Sequence, residues 1–434
     1  MDRETLVYVD VQGTPYLVGR LWARTRKDRE SATFEYDKSW LAHGERFSLE
    51  PALKLGPGPF HTPADMPLFG ALGDSAPDRW GRVLMRRAER RRAELAGQAP
   101  RTLREIDYLL MVDDEARAGA LRFAEREGGP FLADPARTKI PPLVELPRLL
   151  GATERVLEDK DTDEDLRLLL APGSSLGGAR PKASVRDRDG HLAIAKFPSK
   201  GDEVNAVLWE AVALTLAAKA GIVVPKWRLE TVADKPVLLT RRFDREDGAR
   251  IPFVSAMSML GARDNQARSY LEFVDVLRQY GAAPKEDMQA LWRRIVFSIL
   301  ISNTDDHLRN HGFLWDGPAG WRLSPAYDVN PVPIDIKPRV LTTAIDMDDG
   351  TASLKLALEV AGYFELSPAG AQQIAAEVGK AVVRWRTTAK KLGLTSAEID
   401  RMASAFEHQD LKAAMAGKSV RHGVNHVIHA DTDT

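Results

Sequence analysis

The apolar stretch IVFSILI (Ile295 to Ile301) runs directly into SNTDDHLRN (Ser302 to Asn310), and this junction constrains the fold more than any other segment. The first part reads as the end of a buried helix. The second brings two carboxylates, an imidazole and an amide to that end. A polar cluster so dense is out of place in a core, so Asp305, Asp306, His307 and Asn310 belong at an edge or a cleft. The plainer reading is a capped turn. A short hairpin, GFLWDGPAGWRLSP (Gly312 to Pro325), is expected next, and SPAYDVNP then places Asp328 eighteen residues after Asn310. An aspartate at a strand end is ordinarily a turn or cap residue. One hairpin beyond such a cluster, it becomes a candidate carboxylate for a cation.

The chain contains no cysteine, which removes disulfides, thiolate nucleophiles, Cys-ligated zinc and iron–sulfur clusters together. Two carboxylates and a histidine also resemble a hydrolytic metal site, but no HExxH-like helix or second histidine set accompanies them. The step from Asp305 to Asn310 instead matches the D-x-x-x-x-N catalytic loop of protein kinases. There the aspartate accepts a hydroxyl proton and the asparagine coordinates magnesium. Mg2+ suits oxygen ligands, with Asp328 as the second magnesium carboxylate. Other parts needed for phosphoryl transfer lie upstream. APGSSLGGARPK is a glycine-rich loop whose Gly173, Gly177 and Gly178 free the backbone to turn amides towards phosphate. By itself it is equally well explained as a hairpin turn. Lys196 stands in the apolar strand LAIAKFPS, where an ammonium must meet an anion or snorkel from a sheet edge. Glu210, on the following helix, is its natural ion-pair partner.

A length of 434 residues suggests about two or three domains. Leu6 to Val11 and Tyr16 to Ala23 read as a hairpin about a turn at Gly13 to Pro15. A helix is expected from Asp78, continuing into the basic run MRRAERRRAE, either a solvated face or a contact for an acidic partner. The expected architecture is α+β, a bilobal protein-kinase-like fold. An N-terminal β-rich part spans residues 1–140, a small mixed lobe with the glycine-rich loop 141–250, and a mostly helical lobe 251–434. The helical lobe carries the catalytic loop and ends in a flexible tail, whose His422, His426 and His429 are taken as surface residues rather than metal ligands. Lys+Arg number 61 against 62 Asp+Glu, a net charge of -1 that disfavours a dedicated nucleic-acid binder. No apolar run approaches the roughly 18 residues of a membrane span, and the N-terminus has no signal-peptide core. A cytoplasmic protein with no membrane partner is expected.

The joint order of these motifs resembles the HipA-type Ser/Thr kinases of bacterial type II toxin–antitoxin systems, over most of the chain. FGALGDSAPDRWGR (Phe69 to Arg82) and DYLLMVDDEARAGALRF (Asp107 to Phe123) look like that family's N-terminal part. SSLGGARPKA, AIAKFP, RRFDR (Arg241 to Arg245), NTDDHLRN and LSPAYDV then follow in family order, the last two being the most specific. The resemblance implies an ATP- and Mg2+-dependent protein kinase acting as a toxin. Lys196 would contact the nucleotide phosphates, Asp305 would be the catalytic base, and Asn310 and Asp328 would hold Mg2+. Gly177, Gly178, Glu210 and Arg241 would also line the nucleotide site, with Phe243 and Asp244 bordering adenine and ribose. It further implies autophosphorylation in the glycine-rich loop, on Ser175 or the adjacent Ser174, where about two added negative charges would repel ATP. An aminoacyl-tRNA synthetase is an implied target. A small helix-turn-helix antitoxin is the implied partner, through which any DNA contact would be made. Two departures stand out. Arg241 occupies a position where the family commonly has Glu, and IPFVSAMSML (Ile251 to Leu260) lacks the Gln-Glu-Asp-rich character of the founding member, which weakens transfer of its protein substrate. The rival readings are a small-molecule phosphotransferase and a non-catalytic corepressor relic; intact Lys196, Asp305, Asn310 and Asp328 argue against the relic.

Overall fold

The computed structural model describes residues 2–132, 140–170, 178 and 180–416. Ser174, Ser175, Gly177 and the histidine-containing tail lie outside them. The N-terminal part is an antiparallel sheet of β1 (Asp2–Val11), β2 (Thr14–Arg26), β3 (Arg29–Tyr36), β4 (Pro59–His61) and β5 (Leu121–Ala124), in the order β4-β3-β2-β1-β5. The expected hairpin forms. Its turn is Gln12 and Gly13, both at positive φ (52° and 85°), the two-residue geometry whose twist suits the flanking strands. Val7, Val9, Leu21 and Phe34 are buried along one face of this sheet.

Helix α1 (Arg79–Leu95) begins at Asp78, whose carboxylate accepts the Gly81 N–H at 2.8 Å. Although it precedes residue 140, its Trp80, Leu84 and Met85 join the core of the small lobe, with Leu149, Val185 and Phe197. The basic run finds its acidic partner within the chain. Past α2 (Leu146–Leu157), Arg87 pairs with Asp161 at 2.6 Å, and Arg91 with Asp163 at 2.7 Å at the start of α3 (Asp163–Leu170).

The small lobe's sheet contains β6 (Lys182–Arg186), β7 (Leu192–Lys196), β8 (Trp227–Val232) and β9 (Lys235–Arg241), antiparallel in the order β6-β7-β9-β8. Helix α4 (Ala206–Lys219) is apolar nearly all round because it is buried on two sides. Val207, Ala211 and Leu214 pack with Leu238 of the sheet, whereas Trp209, Val212 and Leu216 join the large core of the helical part. That part holds a small sheet of β10 (Phe253–Ser255), β11 (Gly312–Trp315) and β12 (Trp321–Leu323), with helices that include α5 (Tyr270–Tyr280) and α6 (Pro284–Leu300). Ile295 to Ile301 is buried as the end of α6, so the polar run emerges from a fixed point. The molecule is a mixed α and β protein.

RRFDR ties the N-terminal part to the remainder. Arg242 and Asp244 are 3% and 0% exposed. Arg242 donates to the carbonyls of Ala116 and Arg117 at 2.6 and 2.9 Å, and its Nε to Asp244 at 2.8 Å. Arg245 donates to the Arg117 carbonyl at 2.7 Å and to Asp244 at 2.9 Å, while the Gly119 N–H donates to Asp244 at 2.7 Å. Burial alone would raise the Asp244 pKa, but the charges of Arg242 and Arg245 outweigh it and hold the carboxyl well below its usual range. The stability this group contributes is therefore complete above an unfolded carboxyl pKa of about 3.9 and is lost as acid titrates it below that value. Asp244→Ala leaves two guanidinium groups buried without their counter-charge, an expected loss of about 3–5 kcal/mol in urea unfolding. A loss under about 1 kcal/mol would contradict the clamp.

Candidate active site

A cleft of about 430 Å³ beneath the small sheet is lined by Ile194, Leu214, Pro225, Phe243 and Tyr327, together with Lys196 and Glu210. The rings of Phe243 and Tyr327 lie 5.4 Å apart. The Thr240 hydroxyl and Arg241 also line the cleft, and the Thr240 oxygen is buried without a hydrogen-bond partner. The Arg241 guanidinium lies 2.9 Å from the ring nitrogens of His191. An apolar slot with few polar groups suits a planar heterocycle.

Lys196 ends β7, and its Nζ sits 2.5 Å from Glu210 Oε1 on α4 and 2.8 Å from Asp328 Oδ1. Burial works to lower the lysine's pKa. The two carboxylates outweigh it and raise the pKa, so the ammonium stays charged. Burial likewise works to raise Asp328, but Lys196 and then Lys182 hold its carboxyl down to about 2. Asp328 adopts a left-handed backbone (φ 56°), which aspartate tolerates better than most residues.

The catalytic-loop cluster divides into two kinds of residue. Asp306 is structural: it is buried, accepts hydrogen bonds from the hydroxyls of Tyr270 and Ser298, and lies 2.8 Å from His311 Nε2. Asp305 beside it is 68% exposed, with Lys337 Nζ 3.5 Å from its Oδ1. Asn310 donates from Nδ2 to the Asp305 carbonyl at 3.0 Å, and its Oδ1 is buried without a partner. Tyr327 donates to the Arg309 carbonyl at 2.8 Å, and the Asn330 N–H donates to Asn303 Oδ1 at 3.1 Å. These bonds fasten the Asp328 turn to the loop that carries Asn310.

A free amide oxygen at Asn310 and an ionised carboxylate at Asp328 are hard oxygen donors and fit Mg2+. Among the described residues no group of three or more His, Asp or Glu forms a metal cluster. Phosphate and water oxygens would complete the shell, as is usual for Mg2+.

The structure thus gathers Lys196, Glu210, Gly178 and Asp328, puts Arg241 and Phe243 on the cleft, and places Asp305 beside Asn310. It corrects the expectation for Asp244: that carboxylate is consumed by Arg242, Arg245 and Gly119, so it does not border a ribose. Sequence reasoning missed Lys182, Lys337 and Tyr327. For Lys182 a signal existed, since a β6–β7 turn at Asp187 to Gly190 already sets it opposite Lys196. For Lys337 none did.

The family model for the HipA N-terminal domain matches residues 9–124, and that for the HipA-like C-terminal domain matches residues 174–404, more than half of the chain by itself. The chain belongs to the HipA family. Among HipA relatives, "Putative kinase Y4mE" from Sinorhizobium fredii is 25% identical over 413 residues, covering 87% of this chain and 84% of the relative. A "Putative kinase" from Haemophilus influenzae is 25% identical over 192 residues, 37% of this chain and 54% of its own length. A solved HipA chain, from the Shewanella oneidensis complex of HipA, HipB and operator DNA, matches with a TM-score of 0.59 at 15% identity. The match covers 95% of this chain and 96% of that one, and it is a likeness of fold.

The split between the two aspartates is testable. Asp306→Ala strips partners from Tyr270, Ser298 and His311 and should cost about 3 kcal/mol or more in urea unfolding. Asp305→Asn, at an exposed position, should stay within about 0.5 kcal/mol of wild type. Equal losses would contradict the division.

Proposed function

We propose that this HipA-family protein is an ATP- and Mg2+-dependent Ser/Thr protein kinase, bilobal in the kinase manner, acting as the toxin of a type II toxin–antitoxin pair. The observation that carries the reading is Lys196 held between Glu210 and Asp328 on the cleft wall, with Asp305 exposed next to Asn310. The names of the Sinorhizobium and Haemophilus relatives support phosphotransfer.

The cleft takes the adenine between apolar walls, and the Lys196 ammonium meets the phosphate oxygens. Asn310 and Asp328 hold Mg2+, which neutralises charge on the phosphates. Asp305 accepts the proton of the attacking hydroxyl. That oxygen bonds to the γ-phosphorus as the bond to the β–γ bridging oxygen breaks, and ADP leaves with the electron pair. Lys337, beside Asp305, keeps the carboxylate oriented and ionised for that role. Tyr327 fixes the spacing of the Asp328 turn and the Asn310 loop.

Ser175 or Ser174 is the proposed site of self-modification, which would place phosphate charge in the loop meant to cover ATP. An antitoxin of helix-turn-helix type is the proposed partner, supported by the HipB and operator DNA named with the Shewanella structure. DNA contact then comes through the partner, in keeping with a net charge of -1. The protein substrate proposed by family resemblance is an aminoacyl-tRNA synthetase.

Incubation with Mg·ATP followed by mass spectrometry tests the reading. Wild type should carry phosphate on Ser175 or Ser174, and Asp305→Asn should slow transfer about 100-fold or more while still binding ATP. Wild type binding ATP but never labelling protein would favour a small-molecule phosphotransferase. Growth arrest unaffected by Asp305→Asn would favour a non-catalytic corepressor.

A further inference from the structure

Lys182 has no part in the mechanism above, yet its placement is unusual. It begins β6 directly opposite Lys196 in the β6–β7 register, so the two side chains share one face of the sheet. It is 2% exposed. Like charges directly opposite one another on adjacent strands repel. Buried, they persist only where anions meet both. Lys196 has Glu210 and Asp328. Lys182 Nζ lies 3.1 Å from Asp78 Oδ2, and Asp78 comes from the N-terminal part, where its other oxygen caps α1 through Gly81. Gly178, the described glycine of the loop, adopts φ 96° and passes close by. A Cβ there would sit 2.8 Å from Lys182 Nζ and 3.4 Å from Asp328 Oδ2. The loop backbone therefore runs through the space that Lys182 and Asp328 share. The Lys182 charge also acts on both Asp328 and Glu210.

We infer that Lys182 is a second phosphate-facing ammonium of the nucleotide site, and that Asp78 is a positioning residue through which the N-terminal part completes that site. The inference rests on the kinase reading. A nucleoside triphosphate brings several negative charges, and two ammonium groups side by side on one sheet face can meet oxygens of more than one phosphate. Asp78 is rigid because its cap bond fixes it, so it holds Lys182 in place. Asp78→Asn retains an oxygen for the Gly81 N–H and removes only the charge.

The test compares affinities of the full chain for Mg·ATP and for adenosine in wild type, Lys182→Met, Lys182→Arg and Asp78→Asn. A phosphate-facing cation affects the first ligand and spares the second, whereas a purely structural residue moves both. Lys182→Met should weaken Mg·ATP about tenfold or more, the size of one lost charge-assisted hydrogen bond, and leave adenosine within about twofold. Lys182→Arg should recover most of the loss, and Asp78→Asn should weaken Mg·ATP at least about threefold with adenosine unchanged. Should Lys182→Met fail to fold, Asp78→Asn decides by the same comparison. Parallel losses for both ligands, or no change for either, would overturn the inference. A wild-type protein that binds neither ligand would instead overturn the kinase reading.

Discussion

An ammonium removed from water must be met by anions, and the burial of Lys196 organises this molecule. Its two carboxylate partners come from a helix 14 residues onward and a turn 132 residues onward. Satisfying both requires α4 to lie against the sheet and the Asp328 turn to reach the end of β7. One charge thereby registers the small lobe against the helical part. The left-handed backbone at Asp328 is a local cost accepted for that arrangement. Replacing the triad by apolar residues could yield a stable protein, so its retention argues for a ligand that uses the charge.

The N-terminal part is bound by the same kind of chemistry. Asp244 and three arginines of the kinase part, Arg242, Arg245 and Arg250, grip residues 114–119 through charge-assisted bonds to backbone carbonyls and to Asp114. Asp74 accepts from the Ser255 N–H and hydroxyl, and Asp78 reaches Lys182. These are buried, directional contacts, and truncating one partner leaves another unpaired. The two parts therefore behave as one unit, and the N-terminal sheet sits behind the active site as a support for it.

Much of this was legible in the sequence where a local rule applied. The β1–β2 hairpin, α4 with its Gly221 stop and the α6 junction with the polar run all follow from periodicity and turn chemistry. The site order Lys196, Glu210, Asp305, Asn310, Asp328 was legible because phosphoryl transfer needs those groups in that sequence. The remainder depended on distant partners. Asp244 meets Gly119 across 125 residues, and no local pattern separates a carboxylate aimed at a ribose from one aimed at a backbone amide. Asp305 and Asp306 are adjacent and chemically alike, and only Tyr270, Ser298 and His311 tell them apart. The basic run on α1 reads as solvated until residues 159–163 fold against it.

The central claim is that the Lys196, Glu210 and Asp328 cluster is a nucleotide-phosphate site. Calorimetric titration with a non-hydrolysable ATP analogue, with and without Mg2+, tests it most directly. The structure predicts Mg2+-dependent binding that weakens about tenfold or more in Asp328→Asn. Binding unaffected by both Mg2+ and that substitution, or no binding at all, would contradict it.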